Sequence, residues 1–183
     1  MIEVKFDNKM IKTLSQMIGK QFVSYKCGAD TKQFLRSYGN ILFILKDFSV
    51  ELTNYQCAFP FFDRIEDVAC FSCRLMNESE IFIPCCDEKV IEISINEKIK
   101  GIQIVNDTIF VKEENYEISI DNALILMCEE NTYIFSRDIW FSETIDIDKN
   151  KDINDIYPIK KVIEDWNNDG EYTVTVKRTT ITI

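Results

Sequence analysis

Residues 101–127 read GIQIVNDTIFVKEENYEISIDNALILM, and this stretch decides the fold. Ile102 and Ile104 alternate with other residues, and Tyr116, Ile118 and Ile120 do so again, the period of two that a half-buried strand requires. Leu124–Met127 has no polar face, as expected of a strand covered on both sides. The five-residue run Ile41–Leu45 has the same character, so both are expected at sheet centres.

Working outward, the same alternation recurs at Phe48, Val50 and Leu52, at Ile91, Ile93 and Ile95, and at Tyr172, Val174 and Val176. After Val176 the apolar phase slips to Ile181 and Ile183, which predicts a bulge near residues 178–180 or a strand passing between two surfaces. Two helices frame the strands. Asp7 or Asn8 caps the first, where Met10, Ile11, Leu14 and Met17 recur at helical spacing and Gly19 suits the exit. Pro158 opens the second, with Ile159, Val162, Ile163 and Trp166 on one face before the Asp169-Gly170 turn. The expected fold is a single α+β domain over 1–183, mainly antiparallel β with one helix near each terminus.

The quoted stretch also resembles an earlier one. At a gapless offset of 82 residues, segment 19–45 matches segment 101–127 at Gly19/Gly101, Gln21/Gln103, Val23/Val105, Ser37/Ser119, Asn40/Asn122 and Leu42/Leu124. Each copy continues through a short polar turn into a further strand. We therefore expect two related β-rich halves, residues 16–75 and 98–147, sharing one core.

Composition narrows the function. The chain of 183 residues has no His, which removes His-dependent triads, Cys-His dyads and HExxH zinc sites. It has five Gly, too few for a glycine-rich phosphate loop besides the turns, and no GxSxG elbow. Lys and Arg number 21 against 31 Asp and Glu, a net charge of −10 that repels nucleic acid. Residues 1–40 carry seven basic and three acidic side chains, so the N-terminal segment is expected to lie against the acidic remainder. No apolar run approaches the roughly 20 residues of a membrane-spanning helix. The opening residues lack a signal-peptide pattern, and the odd number of cysteines, seven, is expected to stay reduced in the cytoplasm.

Two metal patterns fail on geometry. Cys70 and Cys73, followed by Cys85 and Cys86, resemble zinc ligands, but residues three apart on a strand point to opposite faces. Asp146, Asp148, Asn150 and Asp152 resemble the start of a calcium loop, yet Lys151 stands where Gly is required and Tyr157 where a bidentate Glu is required. Residues 146–156 therefore read as a solvated loop, and no metal or other cofactor is expected.

The unusual stretch is Cys57-Ala58-Phe59-Pro60-Phe61-Phe62, aromatic around a proline that a central strand excludes. Phe59, Phe61 and Phe62, with Trp140 and Phe141 in the corresponding stretch after the second hairpin, are the candidate protein-binding residues; burial in the core is the competing fate. The leading expectation is a non-enzymatic protein-binding or regulatory domain, an acidic inhibitor or immunity-type protein that neutralises a basic partner. The alternatives are a small-molecule-binding or hydrolytic domain using carboxylates where the halves meet, and a homodimer that buries the aromatic segments.

Overall fold

The computed structural model describes residues 1–28, 36–77, 79–85, 89–139 and 141–183. Trp140 and Cys86 fall outside them. The described strands are β1 (Ile2–Val4), β2 (Gln21–Gly28), β3 (Arg36–Tyr38), β4 (Asn40–Leu45), β5 (Ser49–Phe61), β6 (Arg64–Met76), β7 (Val90–Val111), β8 (Tyr116–Cys128), β9 (Thr132–Arg137), β10 (Thr144–Lys149) and β11 (Val174–Thr182). The helices are α1 (Asn8–Ser15), a single turn α2 (Ile153–Ile156) and α3 (Ile159–Trp166). This is the α+β, mainly antiparallel arrangement the alternation predicts, with helices near both termini. Among the described residues no helix is long and apolar enough to cross a membrane.

Local signals act as expected at the helices. Asp7 caps α1, its Oδ1 accepting from the Met10 N–H at 2.8 Å, and Pro158 is the cap residue of α3. Met10 and Ile11 of α1 pack against the main core, and α3 buries Val162 and Trp166.

The 22-residue strand β7 belongs to two sheets. Val90–Lys98 pairs with β2, which continues to β4, β5 and β6. Ile99–Val111 pairs with β8, which continues to β9, β10 and β3, while β11 runs along the other edge of β7. A register shift between Ile99 and Gly101 marks the passage from one sheet to the other. At the far side the crossing is made at Gly39, the single residue between β3 in the second sheet and β4 in the first. Its φ of +77° favours glycine, and an added Cβ would stand 2.5 Å from the Cys85 Sγ. With both crossings in place, β7, β2, β4/β3, β10, β9 and β8 form a ring of strands around the core.

The ring encloses the rings of Phe22, Tyr25, Phe43, Tyr133 and Phe135, with Phe43 and Phe135 centroids 4.8 Å apart. Each such aromatic pair contributes about 0.5–1.5 kcal/mol beyond burial. The Ile41–Leu45 and Leu124–Met127 runs lie at sheet centres: β4 lies between β2 and β5, and β8 between β7 and β9. The outer face of β8 at Ala123 and Ile125 belongs to a small cluster covered by Ile153 and Ile156 of α2.

Residues 29–35 of segment 19–45 lie outside the described residues; its β2 and β4 pair antiparallel, as do β7 and β8 in segment 101–127, each followed by a further strand, though at different registers. Phe22 faces Leu45, whereas Ile104, the offset equivalent of Phe22, faces Leu124.

One local expectation is corrected outright and one in part. Residues 144–149 form strand β10 and not part of a loop: Ile145 and Ile147 point into the ring core while Asp146 bonds Arg36 at 2.6 Å. Strand β11 pairs with β7 from Val174 to Thr182 without a bulge; of the two alternatives it is the passage between two surfaces that holds, since Val174 and Val176 pack on the second apolar cluster and Ile183 on the main core. The run Cys57–Phe61 is strand with a partner on one side only, which is how a sheet accommodates its proline: it lies beyond Thr53, where β4 pairing stops.

Three of the N-terminal cations pair with acids of the remainder, Lys20–Asp47 at 2.9 Å, Lys26–Glu92 at 3.5 Å and Arg36–Asp146 at 2.6 Å, while Lys5 pairs with Glu3 inside the segment. A buried polar link fastens the C-terminal helices. Arg178, 8 % exposed, makes a bidentate contact at 2.8 and 2.7 Å to Asp107, which is 0 % exposed, and a 2.6 Å bond to the Tyr157 carbonyl just before α3.

Candidate functional site

The β5–β6 hairpin extends past the ring, and its tip, Phe62-Asp63 between the paired Phe61 and Arg64, reaches the far ends of β7 and β8. There the tip meets α3. Phe62 has φ +56°, a left-handed conformation that costs a bulky residue about 1–3 kcal/mol and persists only when its surroundings hold it. The holding contacts are aromatic: Phe62 lies 4.2 Å from Phe61, 4.9 Å from Tyr116 and 5.5 Å from Tyr172 by ring centroids. Phe61 adds Trp166 at 5.6 Å, and the Tyr116 hydroxyl donates to the Pro60 carbonyl at 2.9 Å. Burial pushes the Tyr116 hydroxyl up to about 12, so it remains a donor at neutral pH.

Beside this cluster opens a cavity of about 550 Å³. Its apolar wall is Phe61, Phe62, Phe141, Trp166 and Tyr172; its charged groups are Asp63, Glu114, Asp165 and Arg64. Each element that supplies a wall is tied down. Glu113 in the β7–β8 turn accepts both the backbone N–H and the hydroxyl of Thr173 at 2.7 Å, which sets Glu114 and Tyr172 side by side. Gln56 of β5 donates to the Phe141 carbonyl at 2.9 Å, and Asn54 donates to the carbonyls of Ser142 and Thr144, holding that segment against the hairpin.

The charges are unequal. Arg64 is paired, its Nε 2.6 Å from Glu66 and its guanidinium 5.6 Å from the centroid of Phe61. Asp165 is in the opposite condition. Its Oδ2 is shut from solvent and meets no donor among the described residues, and burial raises its pKa; Lys161 pulls the other way, and Asp138 and Glu164 add smaller upward pushes. Desolvation and then the carboxylates of Glu114 and Glu171 raise the pKa of Tyr172, a second sign of negative potential at this rim.

Of the residues singled out in the sequence, Phe61, Phe62 and Phe141 come together on this cavity. Phe59 does not line it; it is half-buried against the second apolar cluster, on the same strand. Trp140 lies outside the described residues. Sequence reasoning missed Tyr116, Trp166, Tyr172, Glu114 and Asp165 as site residues; Tyr116 and Tyr172 read only as strand positions and Trp166 only as part of a helix stripe. No local pattern joins them, because the hairpin length brings them together.

Other groups are already satisfied. Cys70 and Cys73 lie in different apolar clusters, and burial pushes the thiols of Cys70, Cys73 and Cys128 up to about 12, the reverse of an activated nucleophile. Among the described residues no three His, Cys, Asp or Glu side chains gather as a metal cluster would require. The buried carboxylates Asp107 and Asp121 of the central pair β7–β8 are hydrogen-bonded, by Arg178 and Asn122 and by Asn106 and the Phe6 N–H respectively. The cavity near Phe48 has two acids, Asp47 and Glu80, each paired with a cation.

Family models, curated proteins and solved structures were each searched for similarity to the chain, and none matches.

Proposed function

We propose that the chain is a non-enzymatic protein-binding domain that captures a basic segment of a partner protein in the cavity at the β5–β6 tip. The observation that carries this reading is the meeting of Phe61, Phe62 and Phe141 with Asp63, Glu114 and Asp165 around one opening. Aromatic anchors in a desolvated pocket with charges at the rim are the usual build of an energetic centre in a protein interface. The net charge of −10 supports a basic partner, since it speeds encounter with a cation-rich surface.

A fluorescent lysine- and arginine-rich peptide titrated with the full chain tests this by anisotropy. Affinity should fall steeply as salt is raised, and Phe141→Ala and the pair Asp63→Asn with Glu114→Gln should each weaken binding at least tenfold while circular dichroism stays unchanged. Equal affinity in these variants would place binding elsewhere and reject the reading. A small organic molecule is the second reading, favoured by a volume within the range of about 300–1,000 Å³ typical of such sites.

A further inference from the structure

We infer that Cys57 and Cys70 form a peroxide-responsive dithiol, which closes to a disulfide across the β5–β6 hairpin and reopens with a small thiol reductant. This holds whatever occupies the cavity.

The hairpin register sets Tyr55 opposite Cys70 and Cys57 opposite Val68. Opposed residues project from the same face of a pair, so Cys57 and Cys70 are diagonal neighbours on one face. Each sulfur also turns along its own strand toward the other. The Cys70 thiol donates to the Val68 carbonyl at 3.0 Å, level with Cys57, and the Cys57 thiol points to the Tyr55 carbonyl at 3.9 Å, level with Cys70. Burial first and then Cys57 push the Cys70 thiol up to about 12, which marks the two groups as close, while Arg137 pulls the other way. Cys73 is buried in the main core, apart from both.

Diagonal neighbours have Cα atoms about 7–8 Å apart and a disulfide needs about 4.4–6.8 Å, so closure asks the strands to draw together by about 1 Å. This stretch can supply the movement. Pairing with β4 stops at Thr53 and β6 ends the sheet, so beyond Thr53 the hairpin is a two-stranded ribbon, the form of sheet that twists most freely. Phe61 and Phe62 follow on β5 and its turn, so closure also moves the cavity wall.

Exposure assigns the roles, because solvent reaches Cys57 and Cys70 is half-buried. The Cys57 sulfur attacks hydrogen peroxide: an S–O bond forms, the O–O bond breaks and water leaves. Cys57 is then a neutral sulfenic acid and no longer opposes ionisation of Cys70, whose sulfur gives up its proton and attacks that of Cys57. The S–S bond forms, the S–O bond breaks and a second water leaves. Two thiols have lost two electrons, and peroxide has gained them.

The folded full chain, treated with a slight molar excess of hydrogen peroxide at neutral pH, is digested with trypsin without reduction after the remaining thiols are blocked. Peptides 47–64 and 65–74 should appear joined and two hydrogen atoms lighter than their sum, with fragmentation placing the link at Cys70 and not Cys73. Dithiothreitol should separate them. Cys70→Ser should leave a sulfenic acid on Cys57 that dimedone captures, and Cys57→Ser should leave Cys70 unoxidised; circular dichroism checks both folds, and Cys70→Ala replaces Cys70→Ser if that variant unfolds. A link from Cys57 to Cys85, a link between two chains, or sulfinic acid on Cys57 with Cys70 still a free thiol overturns the pairing. So does a wild-type chain in which neither cysteine changes.

Discussion

Replacing Arg178 by methionine removes the guanidinium that holds Asp107 and leaves a carboxylate with 0 % exposure bonded only to the Asn122 amide. Breaking a buried pair in this way costs about 3–5 kcal/mol, because the orphaned charge stays desolvated. The 2.6 Å bond to the Tyr157 carbonyl goes too, for a further loss of about 1–3 kcal/mol. Some relaxation of Asp107 by protonation or by water will return part of this, so a net loss of about 4 kcal/mol is expected. For a chain of this size that corresponds to a fall in Tm of roughly 8–16 °C. Urea unfolding followed by far-ultraviolet circular dichroism measures it directly, with an unchanged slope showing that the folded state stays compact. The double variant Arg178→Met with Asp107→Leu should recover most of the loss, since no unpaired charge remains. A single-variant loss below about 1 kcal/mol, or a double variant no better than the single, would refute the argument that this pair fastens α2 and α3 to the sheet.

Gly39→Ala should destabilise more than Gly19→Ala. Both have positive φ, but the new Cβ at Gly39 lies 2.5 Å from the Cys85 Sγ and the one at Gly19 meets nothing within 4 Å, so equal losses by thermal melting would contradict the crossing described here. Glu97→Gln should cost about 1–3 kcal/mol at pH 7. Burial disfavours ionisation of Glu97, but bonds from Asn131, the Glu130 N–H and the Tyr133 hydroxyl outweigh it and lower the pKa. A depressed carboxylate stabilises above the ordinary value of 4.5 and loses that effect as pH falls through its folded-state pKa, so the wild-type advantage should shrink below that point; an advantage that grows with acid would be the wrong sign. Iodoacetamide at neutral pH should modify exposed Cys57 in the folded chain and reach Cys73 only on unfolding, by peptide mass spectrometry; equal rates would contradict the packing of β6.

Much of the fold was legible because the strands are half-buried and their period survives in the residues. The caps Asp7 and Pro158 and the unbroken runs at Ile41 and Leu124 settled the helices and the sheet centres. The errors also have physical causes. Thr144-Ile145-Asp146-Ile147 alternates as a strand should, but the spacing of Asp146, Asp148 and Asn150 drew attention to a loop instead. The length of β5 was hidden by Pro60, which is tolerated because only β6 pairs with that end. At the site, Phe61, Phe62 and Phe141 stood out because several large aromatics clustered beside a proline or a tryptophan have no periodic core pattern to absorb them. Asp165 and Trp166 could not be joined to them from sequence, since a hairpin of thirteen residues per strand delivers its tip to a helix about a hundred positions away.

The most direct check is a nuclear magnetic resonance titration of the isotope-labelled full chain with the basic peptide. The account predicts that shift changes concentrate on Phe62, Asp63, Glu114, Phe141 and Tyr172 and on the indole of Trp166. Changes confined to other acidic surfaces, with these six signals unmoved at saturation, would contradict it.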